Sequence, residues 1–172
     1  MSHRSSLPLR FLLFVLAVLP LAAANSAQAQ AATHNHAMYQ ESTSLPATER
    51  DAVISPEELV KLLRLPKDQQ PLILNVGPHL LYAQAHIPGA EYIAAGSSPA
   101  AKEMLTKRVQ SLPHGRSVVL YCGCCPWSRC PNIHPAYEAL RSAGFTKVNM
   151  LYIADNFGAN WVDKGYPIAK GE

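Results

Sequence analysis

Beyond Ile54, apolar residues fall into two kinds of stretch: short unbroken runs of strand length, and longer segments where they return every three or four positions. Leu72–Val76, Ser117–Tyr121 and Lys147–Ile153 are of the first kind and predict strands, and Glu91-Tyr92-Ile93 predicts a further short one. Ile54-Ser55-Pro56-Glu57-Glu58-Leu59 opens a helix: Ser55 can cap, Pro56 suits the first helical position, and Glu58 completes a capping box. That helix runs to about Arg64 and is stopped by Pro66. A helical turn is expected around Leu80–Gln84, and His86-Ile87-Pro88-Gly89-Ala90 reads as a turn. Ser98-Pro99 starts a second helix with Ala101, Leu105, Val109 and Leu112 on one face, ended by Pro113-His114-Gly115. Pro135 to Ala143 predicts a third, with Ala136, Ala139, Leu140 and Ala143 inward and Gly144 as terminator. Near the C-terminus, Trp161, Tyr166 and Pro167 read as packing groups.

Strands alternating with helices argue for an α/β fold with a central, mainly parallel sheet and helices on both faces. The β-branched, almost wholly apolar run Ser117–Tyr121 has the character of a central strand buried on both faces. Chemistry in such folds sits at the carboxyl ends of the strands, which directs attention to the loop after Tyr121. The chain has no internal repeat, no G-x-G-x-x-G and no Walker-type phosphate loop.

The N-terminus follows different rules. Arg4 and Arg10 precede an apolar run, Phe11 to Ala24, broken by Pro20 and shorter than the about 20 residues that span a bilayer. Ala27-Gln28-Ala29 then fits an A-x-A cleavage pattern, so residues 1–29 read as a secretory signal cut after Ala29, with an uncleaved anchor as the alternative. The expected product is periplasmic or secreted, with no membrane contact after cleavage, and its cysteines work in an oxidising compartment. Residues 30–53, rich in Ala, Gln, Ser and Thr, read as a flexible lead-in, and 54–172 as the domain. His34-Asn35-His36 could hold a metal ion, but a solvated polar segment is the simpler reading.

The 172 residues suit one domain of ordinary size, and only 16% are charged. The formal charge of +3 falls to +1 once Arg4 and Arg10 leave with the signal, because no acidic residue goes with them. Nothing in that balance calls for nucleic acid or an anionic membrane as partner.

All four cysteines lie in one nine-residue stretch, Cys122-Gly123-Cys124-Cys125-Pro126-Trp127-Ser128-Arg129-Cys130. A thiolate is the reactive form of cysteine and needs stabilisation. Here a loop joins a buried strand to a helix, so peptide N–H groups and the positive helix end can face an anion. Arg129 adds a fixed charge with a planar fork, and Gly123 permits an unusual backbone angle.

Five pieces in order resemble the rhodanese-like (sulfurtransferase) family, over about residues 54–169. They are Leu72–Val76 as first core strand, the Ala85-His86-Ile87-Pro88-Gly89-Ala90 turn, Val118-Val119-Leu120-Tyr121-Cys122, Leu140-Arg141-Ser142-Ala143-Gly144-Phe145, and Trp161 with Gly165-Tyr166-Pro167. The resemblance implies a rhodanese-like three-layer fold. It also implies a cysteine that carries sulfane sulfur as a persulfide from a donor such as thiosulfate to a thiophilic acceptor, with no cofactor and no metal. Partners would be a small sulfur-containing anion or a thiol acceptor, including a periplasmic redox protein.

The chain departs from the family pattern at Ala85, where the family's turn has glycine, and in two further places. The D-x-R motif of the first strand is replaced by Asn75 and Gly77. The usual active loop is C-x4-R; Arg129 stands at that spacing from Cys124, whereas Cys122, fixed by the strand, makes C-x6-R. The strand is the more rigid reference, so Cys122 and Arg129 are the catalytic candidates. Cys124, Cys125 and Cys130 are candidates for a resolving or alternative nucleophile, and Gly123, Trp127 and Ser128 for the substrate-binding loop. His86 reads as a turn residue bonded to backbone and His134 as solvent-exposed. Two other functions remain open on the residues: a thiol–disulfide or soft-metal-binding protein, and a non-catalytic interaction module with its cysteines paired.

Overall fold

The computed structural model describes residue 45 and residues 47–171. The signal segment 1–29 and His34-Asn35-His36 lie outside the described residues. The elements in order are α1 (Ala47–Arg50), β1 (Val53–Ile54), α2 (Pro56–Leu63), β2 (Leu72–Asn75), α3 (His79–Gln84), β3 (Glu91–Tyr92), α4 (Pro99–Val109), β4 (Val118–Tyr121), a 3-10 turn (Trp127–Arg129), α5 (Ile133–Ser142), β5 (Val148–Leu151) and a π-helical turn (Gly158–Val162).

The five strands form one parallel sheet in the order β1-β5-β4-β2-β3. From β2 the chain moves outward to β3, then returns across the sheet to β4 and continues to β5 on the other side. The direction of winding therefore reverses between β2 and β4, and the crevice at their carboxyl ends is where ligands bind in open parallel sheets.

Period-two alternation sends successive residues of β4 to opposite faces. Val118, Leu120 and Cys122 join a cluster with Leu105 and Val109 of α4 and Ala136 and Leu140 of α5. Val119 and Tyr121 join a second cluster with Leu59 of α2, Tyr82 of α3, Ile87 and Trp161. Every residue of β4 is buried, as an apolar run covered by helices on both sides must be.

Helix α2 begins as the sequence indicates. Ser55 Oγ accepts from Glu58 N–H (3.1 Å), and Glu58 Oε2 accepts from Ser55 N–H (2.7 Å). Other boundaries differ for local reasons. Helix α5 starts at Ile133, two residues before Pro135, because a proline in the first turn removes only an N–H that has no helical acceptor. The stretch before Ile54 contributes α1 and the edge strand β1, paired with β5 through Val53 and Met150; two residues are too few to show a strand period. Trp161 is wholly buried, and its Nε1 donates to Pro167 O (2.8 Å). Tyr166 OH donates to Glu57 Oε1 (2.7 Å), which ties the tail back to α2.

Replacing Ser55 by alanine removes one half of the reciprocal cap. The expected cost is about 1 kcal/mol, read as a lower urea midpoint with an unchanged slope.

Candidate active site

Strand β4 ends at Tyr121, and the next residue, Cys122, lies at the carboxyl edge of the sheet with 8% of its surface exposed. The chain then turns at Gly123 with φ +88, a conformation that glycine adopts without steric penalty. A β-carbon there would lie 2.7 Å from Phe157 Cβ, and Gly123 O accepts from Phe157 N–H (3.0 Å). The loop is thereby pressed onto the segment leading to the π-helical turn and folds back on itself.

This path gathers the four thiols, all free. Cys122 Sγ lies 3.3 Å from Cys124 Sγ, and Cys124 Sγ lies 3.2 Å from Cys125 Sγ. Cys122 and Cys130 line the same small cavity and influence each other's ionisation. The 3-10 turn brings Cys130 to the start of α5, where the N–H groups of Asn132 and Ile133 point at its sulfur. Cys122 Sγ has donors of its own, Cys124 N–H and the Asn132 side-chain amide at 3.4 Å.

The surroundings of Cys122 and Cys130 therefore move the two thiols in opposite directions. The neighbouring Cys122 thiol and the two peptide N–H groups of α5 bring the Cys130 thiol down to about 6. The Cys122 thiol is raised, first by the adjoining Cys130 and then by burial. Burial, followed by the bond to Cys124, pushes Cys125 up to about 12, so it stays a neutral thiol.

The Asn132 amide cannot turn freely. Its Oδ1 accepts from Ser97 N–H (3.1 Å) and from Ser97 Oγ–H (2.9 Å), which leaves Nδ2 to face Cys122 Sγ and, at 3.7 Å, Cys124 Sγ. Ser97 reaches that position because Gly96 has no side chain: a β-carbon would sit 2.0 Å from Asn132 O. Gly77, at the family's arginine position, likewise lies against the site, where a β-carbon would be 3.3 Å from Cys122 Sγ. Asn75, at the family's aspartate position, accepts Gly77 N–H (3.0 Å), a neutral contact where the usual motif has an ion pair, and the Tyr121 phenol, raised by burial, accepts from Ile87 N–H (3.3 Å).

The remaining predicted residues separate into two groups. Trp127 is buried against Tyr152 and His134, with ring centroids 5.4 and 5.7 Å apart, and its N–H donates to Ala154 O (3.1 Å). Ser128 and Arg129 are exposed, and the Arg129 guanidinium makes no hydrogen bond or ion pair with any described residue. His86 is bonded to backbone as expected, its Nδ1 2.9 Å from Tyr82 O. His134 is not simply solvated: its ring is half-buried and Nδ1 lies 3.1 Å from Glu49 Oε2, a partner supplied by the unforeseen α1. Asn132, Ser97 and Gly96 were not singled out from the sequence. An asparagine just before a helix is a recognisable cap signal, but starting the helix at Pro135 hides it.

A cavity of about 10 Å³ opens beside Cys122, Cys125 and Cys130 and is otherwise walled by Gly123, Trp127, Ile133, Leu151 and Ile153. That is about the room of a single water-sized atom. Among the described residues, no group of three or more His, Cys, Asp or Glu is arranged to hold a metal ion.

Because a thiolate alkylates and a thiol does not, Cys130 is expected to react fastest with iodoacetamide, with the rate rising with pH through a midpoint near 6. Below the midpoint the sulfur is protonated and slow. Cys122→Ala removes the thiol that lowers Cys130 most and moves the midpoint upward, as peptide mapping across a pH series would report.

The rhodanese-like domain family model matches residues 55–156, more than half of the chain. No curated protein sequence matches the chain significantly. A crystal structure of the Alr3790 protein from Anabaena sp. is 23% identical over 68% of this chain and 82% of that one, with a TM-score of 0.52, and shows the same fold. The Rhodanese_3-like domain of that protein is 24% identical over 59% of this chain and 94% of its own, with a TM-score of 0.45. A rhodanese with anions from E. coli is 24% identical over 59% and 99%, with a TM-score of 0.40. On the family match over residues 55–156, and with a parallel α/β sheet that presents Cys122 at the end of its central strand, this chain belongs to the rhodanese-like domain family.

Proposed function

We propose that the protein is a sulfurtransferase in which Cys122 takes sulfane sulfur from a donor such as thiosulfate and holds it as a persulfide for a thiophilic acceptor. The observation that carries this reading is the set of donors on the Cys122 sulfur, the Cys124 N–H and a locked Asn132 amide, at the carboxyl end of the central strand. They are placed to stabilise an anionic sulfur after its proton passes to Cys130. Cys122 Sγ then bonds to the terminal sulfur of thiosulfate, the sulfur–sulfur bond of the donor breaks, and sulfite leaves with the electron pair. The exposed Arg129 is free to meet the sulfonate oxygens outside the cavity with its two-pronged fork.

The signal-like N-terminus supports export, so we assign the work to a periplasmic or secreted protein. The natural acceptor is then a small thiol or an exported redox protein.

Single-turnover mixing with thiosulfate is expected to release one sulfite per chain. Cys122→Ser abolishes it, and sulfite release undiminished in that variant would sink the assignment. Arg129→Gln is expected to raise the thiosulfate concentration for half-maximal rate about tenfold, the effect of one charge-assisted contact, while the limiting rate changes little.

A further inference from the structure

The persulfide reading leaves one element of the site without a task after loading. Cys130 faces the same one-atom cavity as Cys122 and sits between the 3-10 turn and the start of α5, where the peptide N–H groups of Asn132 and Ile133 favour its thiolate. A sulfur atom added to Cys122 has room in that cavity, beside Cys125 and Cys130; Cys124 is not part of its wall.

We propose that Cys130 discharges the sulfur loaded on Cys122: its thiolate attacks Cys122 Sγ, hydrosulfide leaves, and a Cys122–Cys130 disulfide remains for a dithiol, protein-borne or small, to reduce. The inference rests on the sulfurtransferase reading and names the internal acceptor and the external reductant of that site.

The step balances. The bond between Cys122 Sγ and the sulfane sulfur breaks, and its electron pair leaves with hydrosulfide, so the sulfane sulfur is reduced. Cys122 Sγ exchanges one sulfur–sulfur bond for another and keeps its oxidation state, while Cys130 Sγ is oxidised by one electron and the sulfane sulfur is reduced by one. The proton that Cys130 received when Cys122 was activated is lost to solvent before the attack. Reduction by a dithiol returns both thiols and forms one disulfide in the reductant.

The other two cysteines suit this role less well. Cys125 shares the cavity but is held as a neutral thiol by burial and its bond to Cys124, and a thiol is a poor nucleophile. Cys124 is separated from Cys122 by Gly123 alone, so a disulfide between them would close a tight ring through a glycine already pressed against Phe157. The nine-residue loop from Cys122 to Cys130 can close without that constraint.

The mature chain, reduced and then freed of reductant, is treated with thiosulfate without oxygen. Sulfite and sulfide are measured, thiols counted and disulfides mapped. Expected are one sulfite and one sulfide per chain, the loss of two thiols, a Cys122–Cys130 disulfide, and recovery of both thiols with dithiothreitol. Cys130→Ser is expected to release sulfite more slowly, having lost the proton acceptor, and to keep the persulfide on Cys122 with sulfide release at least tenfold lower. A wild-type chain that keeps its persulfide with Cys130 free, a disulfide mapped to Cys124, or Cys130→Ser releasing sulfide at the wild-type rate overturns the proposal. The wild-type disulfide map decides the matter even if Cys130→Ser does not fold. Absence of sulfite from the wild type defeats the transfer reading and this inference with it. Sulfite without sulfide leaves transfer standing and defeats the discharge step alone.

Discussion

A sulfur anion at the end of a buried strand has lost its water, and hydrogen-bond donors must replace it. Among the described residues, none of the donors found at these sulfurs belongs to a lysine or arginine. The donors are peptide N–H groups at Cys124, Asn132 and Ile133, one side-chain amide, and a neighbouring thiol. Such donors are neutral, so the balance between the two sulfurs is set by burial and hydrogen bonding, which raise Cys122 and lower Cys130. A fixed cation would favour one sulfur permanently. The absence of an arginine at position 77 fits this arrangement: a glycine there approaches the Cys122 sulfur without adding a charge.

Neutral donors act only if they cannot rotate away, and several close contacts serve that end. Asn132 is oriented by two bonds from Ser97, and Ser97 is in reach only because Gly96 is bare. Gly123 gives the loop its reversal, and Phe157 closes over it. Trp127 wedges the loop between β5 and α5 through Tyr152 and His134. These contacts reach both faces of the sheet, Trp127 and Asn132 on the α4 and α5 side and Phe157 in the cluster with α2 and Trp161, so the electrostatics of the sulfurs depend on packing across the whole end of the sheet. A preorganised site of this kind does not have to reorient its dipoles when charge appears.

The central strand, the capped helix at Ser55 and the inward face of α4 were legible because each rests on a local signal: an apolar run, a cap, a helical period. The position of Cys122 followed from its strand. The surroundings of its sulfur were not legible, because they come from residues far apart in sequence, Gly77, Ser97 and Asn132, whose roles are set by backbone approach. The same holds for α1 and β1, too short to carry a period, and for the pairing of His134 with Glu49 that depends on them. Clustering in the sequence marked the four cysteines as a unit. What separates their ionisation was not legible, because it depends on the start of α5, whose Asn132 and Ile133 N–H groups lower the Cys130 thiol.

The shape of the cavity bears on what kind of donor the site can serve. Its lining is mainly apolar, with the sulfurs of Cys122, Cys125 and Cys130 among it, and about 10 Å³ is room for one atom at the bottom of a partly open recess. On the proposed reading, a donor presents a terminal sulfur inward and keeps its charged end outside, where Arg129 and Ser128 are exposed. Selectivity then lies in the reach between the buried sulfur and the exposed guanidinium, a distance set by the residues that lengthen the spacing from Cys122 to Arg129. The wider spacing in this chain, C-x6-R in place of C-x4-R, need not mean a larger oxyanion pocket, because the cavity beside Cys122 is lined by Cys125 and Cys130 as well. Those two thiols occupy the space next to Cys122 Sγ.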